Sequence, residues 1–165
     1  MDLLEKIKDS CPRSRVLMGM DIGKKTIGIA LSDSSHSIAT PLTTITRKKF
    51  RQDLRALEDI IRDYQVGGYV IGYPLNMDGS AGPKCQSVRD FAMEFEAQLS
   101  DEFKTDGAVW VALKDERLST SCVEGVIAAD FDISRRKAKD RGLIDKLAAQ
   151  VILQGALDLM MGGGN

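Results

Sequence analysis

The sequence predicts an α/β domain built on a mixed sheet, with an antiparallel three-stranded start, parallel strands after it and helices on both faces. Two observations predict it. Short apolar runs at 16–20 and 26–31 flank a Gly-Lys-Lys turn, which is the pattern of a β-hairpin. Beyond it, stretches with apolar residues at helical spacing alternate with short apolar runs, the signature of strands joined by crossover helices. A chain of 165 residues, 43% hydrophobic and 28% charged, suits one such domain with a sizeable core. The expected boundaries are an N-terminal extension at 1–15, the domain at 16–161 and a flexible glycine-rich tail at 162–165.

Taken in order, each element has its own warrant. Residues 37–45 are β-rich with one proline, Pro41, which suits a third antiparallel strand at a sheet edge. Phe50, Leu54, Leu57, Ile60 and Ile61 recur at helical spacing across 50–64, and Gly67-Gly68 is expected to end that helix. A buried strand at 69–73 follows, then a loop at 74–83 dense in turn residues. A second amphipathic helix is predicted at 87–99, a strand at 108–113 holding the only tryptophan, Trp110, and a short helix at 121–129. Leu143, Ile144, Leu147, Ala148, Val151, Ile152 and Ala156 then trace a long late helix.

Composition excludes several classes of function. A net charge of -1 leaves no room for a uniformly basic coat, so an anion-binding surface must be a local patch. Cys11, Cys85 and Cys122 are odd in number and lack CxxC spacing, which favours reduced thiols over a disulfide frame or zinc knuckle. His36 is the single histidine and stands in a Ser-Ser-His-Ser loop, a poor base for a Ser-His-Asp or zinc-histidine enzyme. No signal peptide, transit peptide or membrane span is legible, so a cytoplasmic protein with no membrane partner is expected.

Acids at strand ends carry the chemistry. Asp21 closes an apolar run with no other charge, so its carboxylate should project from the sheet rim; starting the turn is its bland alternative role. Asp115 and Glu116 end the 108–113 strand, where they also could serve only as helix-entry charges. Asp145 lies at the edge of the apolar stripe of the late helix, beside the small Ala148 and Ala149, although an acid near a helix start is also favoured by the dipole. Ligands in open α/β sheets gather beyond the carboxyl ends of strands. Acids converging there without histidine or cysteine suit Mg²⁺ or Mn²⁺, and two such ions roughly 3.5 to 4 Å apart can cleave a phosphodiester. Cations stand nearby in sequence: Lys24 and Lys25 in the turn, Arg117 after the acid pair, and Arg136, Lys137 and Arg141 in a basic run before the late helix. Together they form a candidate phosphate-binding surface.

These motifs resemble the YqgF family. The resemblance is carried by Asp21-Ile22-Gly23 with 28–33, by Gly72-Tyr73-Pro74-Leu75-Asn76-Met77-Asp78-Gly79-Ser80, by 115–120, and by Ile144-Asp145 with Ala148-Ala149. It implies a ribonuclease H-like fold and a nuclease that processes the 5′ end of pre-16S rRNA, with Asp21, Glu116 and Asp145 as catalytic metal ligands and Asp115 as a further catalytic neighbour. A Holliday junction resolvase acting on four-way DNA is the alternative, and it would need a homodimer for symmetric cuts. A third reading is a non-catalytic RNA-binding assembly or transcription factor. An actin-like ATPase is disfavoured because one domain cannot sandwich a nucleotide, and the apparent P-loop at 19–26 fails on glycine spacing and leads into a strand.

Overall fold

The computed structural model describes residues 1–116 and 141–162. Its strands are β1 (Asp2–Leu3), β2 (Val16–Ile22), β3 (Thr26–Ser32), β4 (Ala39–Thr46), β5 (Val66–Tyr73) and β6 (Val111–Asp115). The helices are α1 (Leu4–Ile7), α2 (Phe50–Tyr64), α3 (Pro83–Gln98) and α4 (Arg141–Gly162). The strands form one sheet in the order β1-β6-β5-β2-β3-β4. The pairs β2–β3 and β3–β4 are antiparallel, whereas β5 runs parallel to β2 and β6 parallel to β5, which is the mixed sheet expected. The helix expected at 121–129 lies outside the described residues.

Alternation along each strand sorts the core into two layers. Met18 and Met20 of β2, Ile27 and Ile29 of β3, and Ile71 of β5 face α2 and α3, where Leu57, Ile61, Phe91 and Phe95 complete one cluster. Leu17, Ala30, Val70 and Ala112 point to the opposite face and meet Ala149, Ile152, Leu153 and Ala156 of α4, with Leu4 beside them.

Several boundaries differ from expectation for local reasons. Helix α2 ends on Gln65, which takes the left-handed conformation at φ 53° and donates its amide to the Ile61 carbonyl. Gly67 and Gly68 therefore belong to β5 and do not end the helix. A Cβ on Gly67 would meet the Arg15 side chain at 2.6 Å, and one on Gly68 would meet Leu17 at 2.8 Å and Trp110 at 3.0 Å. Trp110 precedes β6 and donates its indole N–H to the Ile7 carbonyl at 3.0 Å. Residues 1–15, which have no assignable role in the sequence, supply β1 on the outer edge of β6, and Leu4 is fully buried. Helix α3 starts at Pro83, earlier than its apolar spacing indicates, because proline is pre-organised for a first helical turn.

One position in α4 is predicted to gain from substitution. Gly155 is interior to the helix, and an added Cβ would find Lys114 Cε no closer than 3.5 Å, an ordinary contact. Gly155→Ala should therefore raise stability by about 0.5–1 kcal/mol in a denaturant titration, since alanine gives up less backbone freedom in a helix.

Candidate active site

Asp21 is the sixth residue of β2 and shares the parity of Leu17 and Gly19, so it lies on the α4 side of the sheet. Glu116 follows β6 with the parity of Ala112 and Lys114, which sends it to that same side; its backbone N–H donates to the Tyr73 carbonyl at 3.1 Å. Its carboxylate leans over Gly72, where an added Cβ would lie 2.5 Å from Glu116 Oε1 and 2.6 Å from Ile152 Cδ1. Asp115 has the opposite parity and pairs in register with Tyr73.

Asp145 comes from the first turns of α4. The helix sits low on the sheet because Gly28 lies beneath it: a Cβ there would be 2.0 Å from the Asp145 carbonyl oxygen. Gly28 is also the register partner of Asp21, so the same backbone gap brings the start of α4 to the strand bearing the first acid. Thr26, at the head of β3, donates its hydroxyl to Asp145 Oδ2 at 2.5 Å. It thereby fixes the carboxylate from the sheet side. Thr26→Val keeps the shape and removes this donor, and should lower cleavage roughly ten- to a hundred-fold in a steady-state assay while leaving the melting temperature nearly unchanged.

The three acids are electrostatically linked. Burial pushes the Asp21 carboxyl up to about 6, and the Asp145 charge adds to that rise while Lys84 opposes it. Glu116 is pushed up to about 7, first by burial and then by Asp21, with Lys114 and Lys84 pulling the other way. Asp21 is thus the middle member, coupled to an acid on either side. Lys84, in the first turn of α3, is a cation that sequence reasoning missed; α3 follows the 74–83 loop, in which the Asn76 N–H donates to the Ser80 carbonyl at 2.9 Å and the Gly79 N–H donates to the Asn76 carbonyl at 2.8 Å.

Residues 15–159 match the family described as "RuvX: Holliday junction resolvase". The chain belongs to this family. The RuvX match and the YqgF resemblance read from the motifs name the same group. Among curated proteins, one from Rhodospirillum centenum is 45% identical over 161 residues, covering 97% of this chain and 82% of the relative. Another, from Paramagnetospirillum magneticum, is 47% identical over 149 residues, covering 90% and 89%. Both are named "Putative pre-16S rRNA nuclease". Two solved structures share the fold at low identity. RuvC of T. thermophilus with a Holliday junction substrate has a TM-score of 0.51 at 13% identity, covering 90% of this chain and 96% of that one. The yeast mitochondrial Holliday junction resolvase Ydc2 has a TM-score of 0.55 at 11% identity, covering 96% and 84%. The sheet is that of the ribonuclease H-like fold.

In this RuvX chain, the expected acids Asp21, Glu116 and Asp145 therefore come together on one side of the sheet. Lys24 and Lys25 are exposed in the β2–β3 turn beyond Asp21. Arg117, Arg136 and Lys137 lie outside the described residues, as does the side chain of Arg141. Among the described residues, no three acid, histidine or cysteine side chains are placed so that together they could hold a metal ion. The donor set nevertheless fits a hard divalent cation. Mg²⁺ is usually held by one or two carboxylates together with waters and substrate phosphate oxygens, so it needs no all-protein cage. Half-buried carboxylates that repel one another are also the groups a dication would relieve. Among the described residues, no helix is long and apolar enough to cross a membrane.

Proposed function

We propose that this protein is a metal-dependent nuclease that cleaves phosphodiesters in structured RNA and matures the 5′ end of pre-16S rRNA. The observation that carries the reading is the convergence of Asp21, Glu116 and Asp145 on the α4 side of the sheet, coupled through Asp21. The names of relatives more than 40% identical over nearly the whole chain supply the substrate class.

Asp21, Glu116 and Asp145 would hold Mg²⁺ or Mn²⁺, as one ion or as a pair. The bound cation would neutralise the phosphate and acidify a water. The protein's own part is positional. Thr26 keeps Asp145 turned toward the sheet, Gly28 admits the helix that carries it, and Gly72 leaves room for the Glu116 carboxylate. Lys84 lies close enough to influence both Asp21 and Glu116 and would balance charge as a phosphate enters. Asp115 serves as a charge neighbour that raises the proton affinity of Glu116. A pre-16S rRNA substrate would be met in the cytoplasm.

A second reading, resolution of four-way DNA junctions, is favoured by the description of the matching family. Symmetric junction cuts would require a homodimer, whereas end trimming would not. Incubating the full chain with a pre-16S leader fragment and with a four-way DNA junction, each with Mg²⁺, Mn²⁺ or EDTA, separates the two. Metal-dependent cutting of the leader at the 5′ boundary is the expected result. Cutting of the junction alone would favour the second reading, and cutting of neither would remove the nuclease assignment.

A further inference from the structure

Arg47 joins two connections that are far apart in the chain. Its backbone N–H donates to the Lys25 carbonyl at 2.8 Å, and its guanidinium donates to the Gly23 carbonyl at 2.6 Å. The β4–α2 connection is thereby bolted to the β2–β3 turn. Arg47 itself is not available to a ligand's charge, since Asp53 Oδ2 lies 4.0 Å from its Nε and the Phe91 ring lies 5.6 Å from its guanidinium carbon. Asp53 is only 2% exposed and also accepts the Lys48 N–H at 2.8 Å, which fixes the path of the connection.

This clamp leaves the other cations facing outward. Lys24, Lys25, Lys48, Lys49 and Arg51 are all exposed. Among the described residues, no ion pair takes up any of them; the pairs present involve Lys6, Arg47, Arg62, Lys104 and the N-terminus. Lys49 and Arg51 flank the start of α2, the positive end of a helix, where cations are disfavoured. Helix formation therefore does not account for them. The chain is nearly neutral overall, so five exposed cations from two clamped connections make a local patch.

Its position relates it to the acids. Strands β2 and β4 both run toward this rim, because each is antiparallel to β3. Two strand spacings, roughly 10 Å, separate the end of β4 from that of β2. Helix α2 packs on one face of the sheet and the acids lie on the other, beside α4, so the patch and the acids adjoin across this rim.

We propose that Lys24, Lys25, Lys48, Lys49 and Arg51 form a rail for the phosphate backbone of a nucleic-acid strand that crosses this rim toward the acids. The proposal rests on the nuclease reading for the direction of the strand, while the rail itself is read by binding alone. Such contacts position a substrate without reading its sequence.

The test uses the full chain and fluorescein-labelled duplexes of one sequence, as RNA and as DNA, titrated by anisotropy at three salt concentrations with EDTA present. For the Lys48→Glu/Lys49→Glu double variant, affinity at low salt should weaken at least about ten-fold, and the log–log salt slope should shrink by about 1.5, at 0.7 to 0.9 per phosphate. Lys48→Gln/Lys49→Gln should lose less affinity in the same direction. Lys6→Glu/Lys8→Glu, at the far edge of the sheet, should match wild type. Equal losses on RNA and DNA indicate pure backbone recognition, and a loss on RNA alone assigns the rail to the A-form strand. Wild-type affinity and slope in a folded Lys48→Glu/Lys49→Glu sample would overturn the rail. If instead the wild type binds as expected but cuts nothing, the nuclease reading fails and the rail stands.

Discussion

Asp21→Asn is expected to reduce cleavage by roughly a hundred-fold or more at saturating metal, and at the same time to stabilise the metal-free protein at neutral pH. The activity loss follows from removing the negative charge at the middle of the acid set while keeping its shape. The stability gain follows from the raised proton affinity. In the unfolded chain Asp21 ionises near 3.8, whereas in the folded protein burial and Asp145 hold its proton to about 6. Below the unfolded value both states are protonated and the site costs nothing. As pH rises toward 6 the unfolded chain releases its proton first, so the folded state loses stability, and the loss is complete above the folded value. Glu116 extends the same window to about 7. At about 1.4 kcal/mol per unit, the Asp21 contribution is at most roughly 3 kcal/mol, and sharing the repulsion with its neighbours brings it to about 1–3 kcal/mol. Melting curves in EDTA at pH 4 and pH 7.5 check the sign: variant and wild type should coincide at the lower pH and separate at the higher one. An Asp21→Asn protein that cuts like wild type would remove Asp21 from the catalytic set.

Gly28→Ala should be nearly as damaging, through packing. The added Cβ would meet main-chain atoms of Asp145 at 2.0 and 2.3 Å, and backbone cannot rotate away as a side-chain tip can. The first turns of α4 must then lift. Overpacking of this kind costs about 1–3 kcal/mol. A displacement of about 1 Å in a catalytic group can cost a further factor of roughly a hundred in rate. Denaturant titration and single-turnover cleavage should therefore both fall. The Gly155→Ala variant is the matched comparison, since it adds the same methyl to the same packing interface without a close contact. Wild-type activity in Gly28→Ala would mean that Asp145 does not need its place above β3.

The contrast between these two glycines shows what was legible in the chain. Asp21, Glu116 and Asp145 were readable because each interrupts an apolar pattern at the end of a strand or the edge of a helix stripe. The hairpin and α2 were readable because their periods are local. Gly28, Gly19 and Gly72 read as ordinary strand residues, yet they all lie on the face that α4 covers, where a Cβ would meet Asp145, Leu153 or Ile152. That requirement depends on a helix 80 or more positions away and leaves no local mark. Thr26 is similar, as its partner Asp145 is 119 residues distant. Lys84 is hidden for a different reason: it falls between the turn-rich loop ending at 83 and the apolar spacing that begins at 87, so no pattern places it on the helix. The role of Arg47 leaves no mark in the sequence, because its link to the β2–β3 turn runs through backbone carbonyls that any residue possesses.

The central claim is that Asp21, Glu116 and Asp145 form one hard-cation site, and Mn²⁺ binding to the full chain tests it without relying on activity. Calorimetric titration of wild type and of Asp21→Asn, Glu116→Gln and Asp145→Asn should show binding that each single substitution weakens about ten-fold or more, with Thr26→Val intermediate. Unchanged Mn²⁺ affinity in all three folded acid variants would contradict the claim.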